Sequence, residues 1–221
     1  MIPPEQNGDF VTHMKDILDV YHKPYDPKKP VICMDEQPVQ LIKETRQPIP
    51  AKPGQLERVD YEYERNGTAD IFMITEPLGG RRQVNIRKQR TGKDWAYEIQ
   101  HLLEVDYPEA EEIQLVCDNL NTHTLGSLYE TFSAEEAHRL AQRLEIYYTP
   151  KHGSWLNIAE IELSALTRQC LDRRIPDIPA LHREVKIWEK RCNDQQKGVD
   201  RQFTTKDARI KLKRLYTVFQ N

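Results

Sequence analysis

IQLVCDN, residues 113–119, is a short, nearly continuous apolar run that ends in an aspartate. Such a run suits a strand covered on both faces of a sheet, because a strand with one wet face alternates polar and apolar residues. VICMD, residues 31–35, has the same form and the same ending. Beside this pair lie QLERVDYEYERN (55–66), ADIFMITEP (69–77) and RQVNIRK (82–88), β-branched or aromatic runs separated by turn formers that include Asn66-Gly67 and Gly79-Gly80. Asn-Gly is a strong hairpin dipeptide, so the spacing predicts an antiparallel meander. Helical periodicity occupies 91–105, with Trp95, Ile99, Leu102 and Leu103 on one face, until Tyr107-Pro108 ends it. A capping box of Ser133 and Glu136 opens a helix over 133–144, and LEIYYTP (144–150) is a further strand closed by proline. Ser154 is placed to cap a helix through WLNIAEIELSALTRQCLD, and 179–194 and 204–219 carry two more helical patterns. Phe10, Met14, Ile17, Leu18 and Tyr21 give 9–21 an amphipathic helix. The expected architecture is α/β, a mixed sheet of an antiparallel meander plus parallel strands, flanked by helices. Residues 1–28 read as a helix and linker, and 29–221 as the main domain. A long loop over 36–54, with Pro38, Pro48, Pro50 and Pro53, is of a length that is usually functional.

Composition narrows the function by exclusion. The 221 residues are 38% hydrophobic and 30% charged, with no stretch of 18 uncharged apolar residues, so a membrane partner is not expected. The first residues, MIPPEQNGDF, lack the basic and apolar regions of an export leader. Cys33, Cys117, Cys170 and Cys192 stand far apart without a C-x-x-C pair, which argues for reduced thiols rather than a disulfide framework or thiolate zinc site. The net charge of −3 carries no nucleic-acid signature, so any such signal is local.

The chemistry lies in the acids. Ligands of open α/β sheets collect beyond the carboxyl ends of the strands, where Asp35 and Asp118 stand. An aspartate closing a strand also serves ordinary turn chemistry, and pattern alone leaves both readings open. A third acid comes from LNIAEIELS (156–164), where Glu160 and Glu162 point about 200° apart on a helix, so only one can dominate its inner face. Trp155, Ile158, Ile161 and Leu166 supply packing surface there. Carboxylates without histidine or cysteine ligands suit magnesium or manganese. Two such ions roughly 3.5–4 Å apart serve in-line phosphoryl displacement, the chemistry of nucleases and strand transfer.

MDEQ (34–37), CDNLNTH (117–123) and TPKHGSWLNIAEIELSALTRQCL (149–171) together resemble the DDE transposases of bacterial insertion sequences in the mariner superfamily. The resemblance runs from about residue 9 onward and includes the closing phrase FTTKDARIKLKRLY (203–216). It implies an RNase H-like fold with Asp35 and Asp118 as the first two catalytic, metal-holding acids. The family phrase Leu-Asn-x-x-Glu falls on Leu156, Asn157 and Glu160, making Glu160 the third acid and Glu162 the reserve. The spacing from Asp118 to Glu160 is longer than in the eukaryotic mariner branch. Two Mg2+ ions, with Mn2+ as a substitute, are the implied cofactors. Transposon ends and target DNA are the implied partners, a homodimer follows from cutting two ends in concert, and the implied location is the bacterial cytoplasm, on the nucleoid when DNA is bound.

Further DNA contacts are expected from Asn119, His123, His152, Ser154, Arg87, Lys88 and Arg90. His123 equally suits capping or loop ordering, and His152 to Trp155 can bring a helix N-terminus to a phosphate. Two basic stretches stand out: Arg81, Arg82, Arg87, Lys88, Arg90 and Lys93, then Arg201, Lys206, Arg209, Lys211, Lys213 and Arg214. Each serves phosphate contact or forms a solvated face. Trp95 and Trp188 read as core, and a zinc site from Cys117, His123 and His152 lacks ligand spacing. The family's helix-turn-helix region, which reads terminal repeats, has no counterpart before the first catalytic strand and is expected as an upstream or separately encoded segment. The competing expectation is a non-catalytic, truncated transposase that pairs with full-length copies and damps transposition. A host nuclease of the same fold is disfavoured by the phrases from Thr149 onward.

Overall fold

The computed structural model describes residues 8–212. One five-stranded sheet organises the chain: β1 (Val31–Glu44), β2 (Tyr63–Glu76), β3 (Arg81–Arg87), β4 (Ile113–Cys117) and β5 (Leu144–Tyr148), in the order β3-β2-β1-β4-β5. The first three form an antiparallel meander, while β4 runs parallel to β1 and β5 runs parallel to β4. Helices pack on both faces, the mixed RNase H-like arrangement expected from the sequence.

Strand alternation divides the core in two. Ile32, Met34, Ile113, Leu115 and Cys117 face one layer with Trp95, Ile99, Leu102, Leu103, Leu128 and Leu140. That layer is built by α2 (Gly92–His101), the π-helical turn Leu102–Asp106, α3 (Leu125–Thr131) and α4 (Ala134–Ala141). Cys33, Ile71, Met73, Val84 and Val116 face the other layer. It holds α1 (Gly8–Tyr21), α5 (Ile158–Leu166), α6 (Ile178–Asp194) and α7 (Thr205–Lys211). All five residues of β4 are buried, as its unbroken pattern requires. Trp95 and Trp188 belong to the core, 0% and 3% exposed. No helix among the described residues is long and apolar enough to cross a membrane.

The structure corrects several boundaries. β1 does not end at Asp35 but runs on to Glu44, so half of the expected 36–54 loop is strand paired with β2. β2 starts only at Tyr63, and residues 55–62 are an exposed return rather than a strand. Asn66-Gly67 is no hairpin turn. It forms a bulge inside β2, where the register shifts between Gln40 and Ile42 and Gly67 takes φ +87°. The turn is Pro53-Gly54: Lys52 and Gln55 exchange backbone hydrogen bonds of 3.0 and 2.8 Å across it, and Gly54 holds φ +79°. Proline followed by glycine suits such a turn, since proline presets the first central φ and glycine accepts the positive second. Ser154 opens a short 3-10 turn, Ser154–Leu156, and the cap of α5 is Asn157 instead. The last helical pattern forms α7 with a Thr204–Asp207 capping box, while Lys213, Arg214 and the rest of that phrase lie outside the described residues.

Candidate active site

The parallel pairing of β1 with β4 sets Cys33 opposite Val116, so two residues on, Asp35 and Asp118 emerge side by side. The third acid is brought by a helix, and Asn157 explains how. Its side-chain oxygen accepts the Ala159 N–H at 3.1 Å and caps α5, while its amide nitrogen donates to the Met34 carbonyl at 2.8 Å. One buried side chain thus starts the helix and fastens it to β1 next to Asp35. Glu160, in the first turn of α5, is exposed and joins Asp35, Glu36, Asp118, Thr149, Ser154 and Asn157 in lining a cavity of about 350 Å3.

Glu162 faces the other way. It is buried and takes a two-pronged ion pair from Arg82, with Nε and Nη2 donating at 2.9 and 2.8 Å. Arg82 also donates to the Gly80 and Lys197 carbonyls, so Glu162 ties α5 to the β2–β3 turn and the segment after α6.

The electrostatics of the cavity suit a cation. Burial pushes the Asp35 carboxyl up to about 7; the Glu36 N–H, donating at 2.8 Å, counters this, and the charges of Asp118, Glu36 and Glu160 reinforce it. Among the described residues no lysine or arginine lines the cavity to offset these acids. Glu36 Oε1 and Asp118 Oδ1 are buried and receive no well-aligned hydrogen bond. Crowded carboxylates of this kind fit a hard divalent cation, which takes oxygen ligands in preference to sulfur or nitrogen.

His123 is not where a DNA-contacting residue would be. It is 2% exposed, with Nδ1 2.5 Å from Asp118 Oδ1 and Nε2 2.7 Å from Glu36 Oε1. Burial works against a charged ring, but contacts with Asp118, Cys117 and Glu36 outweigh it and raise the imidazole to about 12. Glu36, Asp118 and His123 also form a cluster whose ligand atoms lie within 4.8 Å of one another. Sequence reading passed over Glu36, because strict alternation sends the residue after Asp35 to the other face of the strand. The doubled acid of MDEQ was the available signal.

The remaining expected contacts scatter. Asn119 and Arg90 line a neighbouring recess of about 330 Å3 with Glu36, Leu120, Asn121 and Thr122. Arg87 is engaged internally, 2.5 Å from Glu98 and stacked over Tyr97. Lys88 is exposed, and Arg90 lies 3.8 Å from Asp70. His152 is exposed at φ +64° on the approach to Ser154, which lines the main cavity.

The family profile described as DDE superfamily endonuclease matches residues 30–182, a span that includes Asp35, Glu36, Asp118 and Glu160, the four acids lining the cavity. The chain belongs to the DDE endonuclease superfamily. No curated protein matches it by sequence. Among solved structures, this DDE chain is similar to the Mos1 mariner paired-end complex with Mn at 14% identity and a TM-score of 0.58, covering 89% of this chain and 60% of that one. It is also similar to the Mos1 strand transfer complex at 13% identity and a TM-score of 0.58, covering 86% and 55%. The Mos1 paired-end complex with Mg matches at 13% identity and a TM-score of 0.54, covering 98% and 63%. The likeness is one of fold, and this DDE chain spans about three fifths of their length.

Proposed function

We propose that the chain is the catalytic domain of a mariner-type DNA transposase of a bacterial insertion sequence, cutting and joining DNA with Asp35, Asp118 and Glu160. The observation that carries this reading is the convergence of these acids from β1, β4 and α5 in one cavity whose lining, among the described residues, holds no lysine or arginine, in a chain of DDE endonuclease kind. The three carboxylates would hold two Mg2+ ions, or Mn2+ in their place. Such a pair, when bound, activates the attacking water or 3′ hydroxyl and stabilises the leaving oxygen of an in-line displacement. The residues themselves position and shield: Asn157 keeps Glu160 against β1, and Ser154 and Thr149 border the space for a phosphate.

DNA is the proposed substrate. The structural neighbours are Mos1 transposon-end and strand-transfer complexes, and Ser154, His152, Asn119, Lys88 and Arg90 present polar or basic surface around or beside the cavity. Arg87 and His123 support that surface from within. A helix-turn-helix segment, upstream or separately encoded, would read the terminal repeats. A second subunit would allow two ends to be cut together, and Ile49, Leu56, Val59 and Tyr61, exposed along the 45–62 excursion, offer apolar surface for it. The proposed site of action is the bacterial nucleoid.

Nicking of a supercoiled plasmid carrying the element's ends tests the reading. Wild type should nick in Mg2+ or Mn2+ and not in EDTA, while Asp35→Asn and Asp118→Asn should lose activity by at least ~100-fold with the fold retained. Nicking at the wild-type rate by both variants would exclude these acids from the chemistry.

A further inference from the structure

Asp35 receives a backbone N–H from its neighbour, but the carboxylate of Asp118, at the end of a strand, has no such anchor. Its near contact is His123, 2.5 Å from Oδ1 through Nδ1, and the other ring nitrogen lies 2.7 Å from Glu36 Oε1. Both the ring and the loop that carries it are held. It stacks on the buried Trp95 with centroids 5.8 Å apart and planes 23° apart. The Tyr148 hydroxyl donates to the His123 carbonyl at 2.7 Å, His123 N–H donates to the Leu120 carbonyl at 3.0 Å, and Ser127 Oγ donates to the Thr122 carbonyl at 2.9 Å.

We infer that His123 and Glu36 are positioning residues, Glu36 fixing the imidazole through Nε2 and the imidazole holding the Asp118 carboxylate through Nδ1 in the orientation the cavity needs. This rests on reading Asp118 as a metal-holding acid. The same three residues could themselves be taken for a metal cluster, but the two contacts lie on opposite edges of the ring. Nδ1 meets Asp118 at 2.5 Å and Nε2 meets Glu36 at 2.7 Å, each within hydrogen-bond reach, so one ion cannot take both contacts. Groups that orient metal-holding side chains in this way typically change metal affinity or activity by about 10- to 100-fold when removed. The oxygens of Glu36 and Asp118 that lack an aligned hydrogen bond fit this role, since contacts of this kind are often poorly aligned before substrate binds.

Mn2+ alone is the probe, its binding to the whole chain measured by electron paramagnetic resonance for wild type, His123→Ala, His123→Asn, His123→Gln and Glu36→Gln, each checked for a cooperative melt. The expected result is Mn2+ affinity weakened about 10- to 100-fold in His123→Ala. Asn places an amide near the position of Nδ1 and should recover most of the loss, whereas Gln reaches toward Glu36 and should not. A merely structural role would lower the melting temperature and leave the affinity of the folded protein unchanged. Should His123→Ala fail to fold, Glu36→Gln carries the same test, with weakened affinity supporting the inference and wild-type affinity overturning it. Wild-type Mn2+ affinity in His123→Ala, or a histidine nitrogen coupling in the Mn2+ signal of wild type, would also overturn it. If Asp35→Asn and Asp118→Asn bind Mn2+ like wild type, the metal-site reading itself falls and the inference with it; loss in those two with full binding in His123→Ala defeats only the inference.

Discussion

A single residue, Ile161, separates Glu160 from Glu162, and half a turn of helix sends one into the cavity and the other to Arg82. Their substitutions should therefore part company. Glu160→Gln should abolish nicking with little change in urea stability. Glu162→Gln should lower stability by about 3–5 kcal/mol, the cost of leaving one partner of a buried ion pair alone, and urea titration at neutral pH measures both. Asp35 supplies a second prediction at this scale. Its carboxyl titrates near 7 in the folded chain, well above its ordinary 3.8. The folded state therefore binds more protons than the unfolded state between those values, and stability falls as pH rises from about 4 to about 7. Asp35→Asn should remove that slope and stabilise the chain in EDTA above pH 7 by at least about 1 kcal/mol, a gain absent at pH 4. Strand endings offered Asp35 and Asp118 with turn chemistry as an open alternative, the family resemblance added Glu160 through its Leu-Asn-x-x-Glu register, and the structure brings all three to one cavity. The pairing of Glu36 with His123 left no sign, because it joins two segments far apart in the chain and has no periodic trace.

Among the elements, α5 shows how a local signal was half read. Ser154 was expected to cap a helix beginning at Trp155, but a 3-10 turn intervenes and moves the cap to Asn157. Asn157→Ala should cost about 0.5–2 kcal/mol, as lost caps do, and should reduce nicking beyond what that loss explains, since Glu160 loses its tether to β1. Asn157→Asp keeps the capping oxygen and loses the amide donor to Met34, so it should retain most of the stability and still nick poorly. Equal activity in Asn157→Asp and wild type would show the tether to be dispensable. The β1–β2 pair was misread for a related reason. Asn66-Gly67 has the chemistry of a hairpin turn, yet the same tolerance of positive φ serves a bulge, and only long-range pairing with Gln40 and Ile42 decides between them. Pro53-Gly54 held the turn signal within a segment whose prolines suggested a plain loop.

For the whole molecule, the alternation of β1 and β4 between two apolar layers was readable in outline, since unbroken strands demand cover on both faces. The part played by α1 was not. Phe10, Met14, Ile17, Leu18 and Tyr21 enter the same cluster as α5 and α6, and the Tyr21 hydroxyl donates to the Leu156 carbonyl at 2.9 Å, just before α5. Arg201 stacks near both Tyr21 and Trp155 and donates to the Leu156 carbonyl at 2.9 Å. A chain starting at residue 29 should thus lose its cooperative thermal transition, each fully buried large apolar side chain being worth about 1.5–3 kcal/mol; calorimetry showing an unchanged transition would mark 1–28 as dispensable. The central claim concerns the acids, and the most direct test is a crystal soaked in millimolar Mn2+ with the ions located by anomalous scattering. The account predicts anomalous peaks bounded by Asp35, Asp118 and Glu160, with His123 beyond ligand distance. A cavity without peaks, or peaks centred on other residues, would contradict it.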